Sequence, residues 1–330
     1  MDTFEAYLIE GSPEAVRSGF TQLAQAQLDP GEVLVRLQYA SVNYKDALAA
    51  TGKGRIIRRF PCVGGIDAAG VVESSDSPRF RKGDAVVVHS HGFGVSHHGG
   101  YAGWARVPAD WVNHVPPGLT PLDAATIGVA GYTAALAVDL MLLNGIVPSR
   151  GPVLVNGATG GVASVAIDLL AQLGFEVVAV TGKPEQADYL QALGAASVIA
   201  ASGLQTGSRP LESAQWQAAV DSLGGEPLAG IIRTTQKDGV IASIGNAAGI
   251  AFSSTVMPFI LRGVRLIGVN SDNDVPTREH LWKRLATDLR PRHLERIRQV
   301  QPFAALPRVI DDVVAGRIRG RNVIAVGAAD

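Results

Sequence analysis

Cysteine is almost absent from this chain: Cys62 is the only one among 330 residues. A single thiol closes no intramolecular disulfide and cannot build a cysteine-rich zinc site. Net charge is also missing. The 29 Lys and Arg side chains meet 30 Asp and Glu, so bulk charge marks neither nucleic acid nor an anionic membrane as a partner. The first residues, Met1-Asp2-Thr3-Phe4-Glu5, lack the basic region and apolar run of a secretory signal, and a cytoplasmic location is expected. The longest uncharged apolar stretch, 124–138, is interrupted by Thr126, Gly128, Gly131 and Thr133. It is too short to span a bilayer and reads as a packed interior segment. No repeat or low-complexity tract stands out, and the length suits two domains of ordinary size.

The most informative positive feature lies at 151–183. Val153, Leu154 and Val155 read as a strand, followed by the turn Gly157-Ala158-Thr159-Gly160-Gly161-Val162-Ala163. Val162, Val165, Ala166, Leu169, Leu170 and Leu173 then recur at helical spacing, and 176–180 is a second strand. In this order the glycines let the backbone approach a pyrophosphate, and the free N–H groups of the helix start bind its charge. Thr159, Gly160, Gly161 and Val162 are therefore candidate dinucleotide ligands. Ala163 stands where the usual pattern ends in glycine. An acid is missing where an NAD site would hold the ribose hydroxyls, at the end of the second strand. Thr181-Gly182-Lys183 stands there instead. An ammonium and a hydroxyl suit a 2′-phosphate, so NADPH is the expected cofactor; the alternative for Lys183 is a solvated surface side chain.

Residues 1–122 look β-rich, with strands at 31–39, 67–73 and 85–89 and a turn at 80–84, as in a compact antiparallel barrel. From 123 helix and strand alternate: a helix at 185–193 and strands at 197–200, 218–221, 239–243 and 265–269. With the two strands around the glycine turn this makes an α/β, doubly wound, parallel six-stranded sheet. The segment 202–210 reads as a polar loop. The tail from 273 has helical stretches and ends in a strand at 322–326. Domains are expected at 1–122 with 273–330, and at 123–272.

This organisation resembles the medium-chain dehydrogenase/reductase superfamily. Asn43-Tyr44-Lys45-Asp46-Ala47-Leu48, Gly52-Lys53-Gly54-Arg55-Ile56-Ile57-Arg58-Arg59-Phe60-Pro61 and Gly65-Ile66-Asp67-Ala68-Ala69-Gly70 are similar to its zinc-free branch of NADPH-dependent acrylyl-CoA reductases, often named quinone oxidoreductases. The stretch 255–266, opening Thr255-Val256-Met257-Pro258, agrees, as do Arg209-Pro210-Leu211-Glu212 and Gly320-Arg321. The resemblance covers essentially the whole chain. It implies a GroES-like catalytic barrel, a Rossmann NADPH-binding domain and a homodimer joined through cofactor-domain edges. Zinc-dependent relatives place a Cys ligand where Asn43 stands and a His ligand where Ile66 stands, and an amide and an alkyl chain cannot form the usual zinc shell. His89, His91, His97 and His98, with His114 further on, crowd a glycine-rich loop, but the resemblance implies no ligand set there. No metal is expected.

Reducing an α,β-unsaturated thioester needs a hydride at the β carbon, stabilisation of the thioester oxygen and a proton at the α carbon. By analogy with the ligand positions of the zinc enzymes, Asn43 and Asp67 are the first candidates for the substrate pocket. Asn43 is a candidate oxyanion donor, and Asp67 would orient it or act as an acid; Tyr44 and water are rival proton donors. The plainer readings are a turn Asn and a buried Asp satisfying backbone N–H groups. Lys53, Arg55, Arg58 and Arg59 are candidates for docking coenzyme A phosphates, or form a solvated basic loop. The resemblance puts Gly131 and Thr133 near the cofactor. Gly245, Asn246, Val269 and Asn270 follow strands where ligands meet open sheets; the family tends to have Asp at the position of Asn270. Arg321 is a candidate for a cofactor phosphate or a structural salt bridge. The expected reaction is acrylyl-CoA to propionyl-CoA. The rivals are quinone reduction and a non-catalytic, redox-sensing nicotinamide-binding module.

Overall fold

The computed structural model describes residues 3–204 and 207–327. The chain opens with a hairpin, β1 (Thr3–Ser12) and β2 (Ala15–Ala24). Next come β3 (Val33–Val42), helix α1 (Tyr44–Thr51), β4 (Cys62–Val63), β5 (Asp67–Ser75), β6 (Ala85–His89), β7 (Trp104–Val107) and β8 (Val112–His114). Helix α2 (Pro121–Leu143) leads to β9 (Val153–Asn156), α3 (Gly161–Gln172), β10 (Val177–Thr181), α4 (Ala187–Ala192) and β11 (Ser197–Ala200). Then follow β12 (Trp216–Asp221), α5 (Gly225–Thr234), β13 (Thr235–Ser243), α6 (Met257–Arg262) and β14 (Arg265–Gly268). The tail adds α7 (Val275–Ala286), α8 (Leu294–Ile297), β15 (Arg298–Pro302), α9 (Leu306–Val314) and β16 (Arg321–Ala325). The expected loop at 202–210 includes Gln205 and Thr206, which lie outside the described residues.

Two compact units result. One holds the chain up to Ala130, Asp272–Asp288 and the residues from Ile297 onward; the other holds Gly131–Ser271 and Leu289–Arg296. The return of Leu289–Arg296 to the second unit is an excursion that the sequence pattern did not announce.

The first unit contains a sheet ordered β15-β16-β3-β5-β6-β8, with β7 also on β3, and a second sheet ordered β2-β1-β4. Strand β3 shows why alternation was legible: Val33, Val35 and Leu37 are fully buried while Leu34 and Arg36 between them are not. Its register against β5 slips between Leu37 and Tyr39. This irregularity resets the alternation, and the three residues Ala40, Ser41 and Val42 are all buried. Strand β16 pairs antiparallel with this end, Asn322 opposite Val42, and so brings the C-terminal Arg321 next to the start of α1.

The second unit is a six-stranded sheet, β11-β10-β9-β12-β13-β14, with all pairs parallel. Numbered within the unit, the order is 3-2-1-4-5-6, and the strand order reverses between β9 and β12, where open α/β sheets bind ligands. Helix α3 is more enclosed than an amphipathic surface helix: Ala163 through Leu170 are all buried. The cause lies in Leu289–Arg296. Asp168 accepts hydrogen bonds from the His293 N–H and Nδ1, both at 2.9 Å.

The apolar stretch expected at 124–138 belongs to a longer element. Helix α2 has 23 residues, long and apolar enough by composition to cross a membrane, yet 72% of its most apolar window is buried inside the protein. It is broken at Gly128, whose φ of 48° and ψ of −158° no helix allows.

Candidate functional site

In the second unit the turn after β9 is built by backbone conformation. Gly157 is left-handed, φ 58°, and the Gly160 N–H closes the turn onto the Gly157 carbonyl at 2.8 Å. A Cβ on Gly160 would meet only that carbonyl oxygen, at 3.1 Å, so the turn is otherwise open around it. Helix α3 starts at Gly161, and its first-turn N–H groups have no partner in the helical ladder. This combination fits a pyrophosphate.

Beside the turn, Asn156 and Asp221 join the carboxyl ends of β9 and β12 by a 2.5 Å hydrogen bond. The Asn156 side-chain amide oxygen accepts from the Ser222 N–H at 2.7 Å, and Asp221 accepts from the Gly224 N–H at 3.1 Å. Burial raises the Asp221 pKa against these stabilising bonds. The loop after β12 is thus fixed beside the strand switch point. Gly245 is needed for packing: a Cβ there would lie 2.4 Å from the Ser222 carbonyl oxygen. Asn246 and Asn270 are exposed, Val269 is half-buried, and Gly131 and Thr133 lie buried within α2.

At the end of β10, Thr181 is buried and its hydroxyl accepts from the Lys183 N–H at 3.0 Å. A Cβ on Gly182 would meet nothing within 4 Å. Lys183 is half-buried; burial lowers its pKa, with the Glu185 carboxylate opposing. The strand end therefore carries a cation and a hydroxyl, with no acid before position 185.

In the first unit a buried polar centre forms around Arg321, 2% exposed. Its guanidinium donates to the Thr126 carbonyl (3.0 Å), the Asn43 amide oxygen (2.7 Å) and the Asp67 carboxylate (3.2 Å). Asp67 also accepts from the Ser41 N–H at 3.1 Å and the Val129 N–H at 2.8 Å. Asp46 accepts from the Asn43 N–H (2.9 Å), the Asn43 side-chain N–H (3.0 Å) and the Ile66 N–H (2.9 Å). Tyr101 donates to the Ser41 carbonyl at 3.1 Å, and the Ser41 hydroxyl donates to the Ala125 carbonyl. Burial raises the Asp67 pKa, with the Arg321 charge opposing. Burial and then the neighbouring Asp67 charge push Asp46 up to about 7.

This arrangement bears on two expectations. Arg321 does not present itself to a phosphate: it is enclosed and committed to three partners from distant parts of the chain. Asn43 gives its amide oxygen to Arg321 and one side-chain N–H to Asp46, so at most one N–H is left for an oxyanion. Asp67 is fully buried and holds the Arg321 guanidinium and the Val129 N–H. Tyr44, the first residue of α1, is 45% exposed. Sequence reasoning missed Asp46, Ser41, Gly128 and Tyr101. The spacing Asn43-x-x-Asp46, a helix-capping pattern, could have found Asp46.

The histidines have separate structural duties. His98 Nδ1 accepts from the Val63 N–H at 3.0 Å, His97 Nε2 pairs with the Arg106 carbonyl at 2.7 Å, and His114 Nε2 with that of Arg79 at 3.0 Å. Among the described residues, no three His, Cys, Asp or Glu side chains gather as a metal site. Cys62 is buried, and burial pushes its thiol up to about 12. His89 and His91 clamp α7: Trp282 donates to His89 Nε2 at 3.1 Å, and the buried Arg278 donates to His91 Nε2 at 2.7 Å, while Asp272 lies 2.7 Å from His91 Nδ1. Both rings must be neutral to accept. Burial first, then the Arg278 charge, lowers both from 6.5. Such a group stabilises the closed state above pH 6.5. Below that value the opened state takes up protons that the clamp refuses, and the support is lost as pH falls through the lowered native values. Amide exchange across α7, corrected for its intrinsic pH dependence, is expected to speed by about tenfold per unit below that point for each histidine. Corrected exchange that stays flat down to about pH 5.5 would contradict the clamp.

Comparison with known proteins agrees with this geometry. Residues 29–117 match the alcohol dehydrogenase GroES-like domain, and residues 161–287 match the zinc-binding dehydrogenase family. The chain is 41% identical to the acrylyl-CoA reductase AcuI of Ruegeria pomeroyi, covering 98% of this chain and 100% of that one. It is 40% identical to YhfP of Bacillus subtilis, which carries a provisional quinone oxidoreductase name, covering 97% and 98%. The yhdH oxidoreductase of Salmonella enterica, solved with NADP, superposes with a TM-score of 0.94 at 40% identity, covering 97% and 99%. The chain belongs to the medium-chain dehydrogenase/reductase superfamily, in its zinc-free reductase family.

Proposed function

We propose that the protein reduces an α,β-unsaturated thioester with NADPH and without zinc, converting acrylyl-CoA to propionyl-CoA. The carrying observation is full-length likeness to a named acrylyl-CoA reductase in a chain whose β10 ends in Thr181, Gly182 and Lys183 rather than an acid. The Salmonella relative solved with NADP supports the cofactor choice. Thr159, Gly160, Gly161 and Val162 would hold the pyrophosphate, and Thr181, Gly182 and Lys183 the 2′-phosphate. Gly131, Thr133, Gly245, Asn246, Val269 and Asn270 would shape the remaining cofactor contacts.

When bound, the reduced nicotinamide supplies a hydride for the alkene β carbon. The Tyr44 hydroxyl then stabilises the thioester oxygen or delivers the proton to the α carbon. Asn43, Asp46, Asp67 and Arg321 fix the first turn of α1 and so the position of Tyr44. The enzyme is tested by initial rates with NADPH on acrylyl-CoA and a benzoquinone, for the wild type and Tyr44→Phe. Faster reduction of acrylyl-CoA is expected, and a loss of about tenfold or more in kcat for the variant. A faster quinone rate would favour the quinone reductase reading, which the likeness to YhfP supports. Stoichiometric NADPH binding without any turnover would favour the redox-sensing module, and an unchanged kcat would remove Tyr44 from the chemistry.

We also infer a cytoplasmic homodimer. Strand β14 is an edge of its sheet, and Val256, Ile260 and Leu261 beside it are 65%, 68% and 58% exposed. An apolar edge of this kind needs cover, and a second copy supplies it. Light scattering showing a monomer, or cell fractionation placing the protein with membranes, would overturn the respective reading.

A further inference from the structure

We propose that the loop at 52–61 docks the nucleotide phosphates of the coenzyme A tail, with Lys53, Arg55 and Arg58 as the anion contacts and Arg59 as the residue that fixes the loop. This rests on the acyl-CoA reading and divides a basic cluster that the sequence presented as one.

The loop is an excursion with both ends tethered at the buried centre. At one end Asn43 is held by Arg321 and Asp46; at the other the Ile66 N–H donates to the same Asp46. Helix α1, with eight residues, carries the chain about 13 Å from Asn43 to Gly52 at the helical rise. The basic loop therefore starts within reach of a pantetheine arm whose thioester lies at Tyr44. The reacting end of the substrate would sit at Tyr44 while the charged end reached the loop.

A run of basic residues on a loose loop is ordinarily just solvated. Here the backbone is anchored. Gly52 ends α1 in the left-handed region, the Ile56 N–H donates to Gly54 at 2.8 Å, and the Arg58 N–H donates to Val95 at 2.9 Å. Arg59 makes a two-pronged pair with Asp29 at 2.5 and 2.6 Å, and Asp29 is itself held by the His98 N–H at 2.6 Å. The Arg59 guanidinium is therefore spent on structure. Lys53, Arg55 and Arg58 are exposed and have no carboxylate partner among the described residues. Three unpaired cations within six positions on an ordered loop form an anion site whose ordering cost is already met, with guanidinium groups suited to phosphate.

The test uses wild type and the triple variant Lys53→Gln, Arg55→Gln, Arg58→Gln, with acrylyl-CoA and with acrylyl-pantetheine, which lacks the nucleotide phosphates. Binding of unreactive CoA is followed by calorimetry. The triple variant is expected to raise KM for acrylyl-CoA and Kd for CoA by roughly tenfold, with kcat and the acrylyl-pantetheine KM unchanged. Equal changes on both thioesters, or no change with CoA, would overturn the docking site. The two readings separate cleanly. A wild type that binds CoA through these residues but reduces no thioester keeps the docking site and removes the function. A wild type that reduces acrylyl-CoA as well as the triple variant does keeps the function and removes the docking site.

Discussion

Replacing Arg321 by Met is expected to cost about 3–5 kcal/mol of stability and to abolish turnover. The methionine roughly keeps the length but removes a charge that three parts of the chain share: Thr126 in α2, Asn43 at the start of α1 and Asp67 in β5. Asp67 would be left fully buried without its cation. Its pKa, already raised by burial, would rise further, because the opposing Arg321 charge is gone. The Asn43 carbonyl would be orphaned in the same step, and the first turn of α1 would lose its anchor. Chemical denaturation measures the loss through the shift in midpoint. The double variant Arg321→Met, Asp67→Asn removes both charges and is expected to recover part of the stability. A single variant as stable as wild type would show that the buried pair holds nothing together.

Gly128→Ala adds one methyl group and is expected to cost about 2–5 kcal/mol, from backbone strain and overpacking together. Gly128 has φ 48° and ψ −158°. A Cβ there would lie 2.3 Å from an Asp67 carboxylate oxygen and 2.7 Å from Arg321 Nη2. Neither atom has room to yield, since each is fixed by the same buried bonds. Gly145→Ala separates the two causes. Gly145 is also left-handed, φ 85°, but a Cβ on it would meet nothing within 4 Å. That variant therefore pays for strain alone, about 1 kcal/mol. Equal denaturation midpoints for the two alanine variants would mean that close approach at Gly128 has no consequence.

These cases show where the sequence was readable. The parallel sheet announced itself because each strand is an apolar run set between helices, and the turn at 157–163 because it is rich in glycine, with Gly157 left-handed. The hairpin of β1 and β2 escaped notice because β2, apart from Leu23, is not buried, so its residues carry no strict alternation. The polar centre was half legible. Asn43 and Asp67 were singled out, but their partner Arg321 lies 278 and 254 positions away. A sequence shows that an arginine is present and not what it faces. Gly128 was read as an interruption of an apolar stretch, when its lack of a side chain is what lets α2 pass against Asp67. The histidine cluster looked like one group and divides into separate clamps, because neighbours in sequence on a looping backbone point to different partners.

Steady-state kinetics of metal-stripped protein with acrylyl-CoA, comparing NADPH with NADH, tests the central claim most directly. Undiminished turnover in chelator is expected, with kcat/KM for NADPH above that for NADH by about tenfold or more, the scale of a charge-assisted phosphate contact. A preference for NADH, or activity lost to the chelator and restored by zinc, would contradict it.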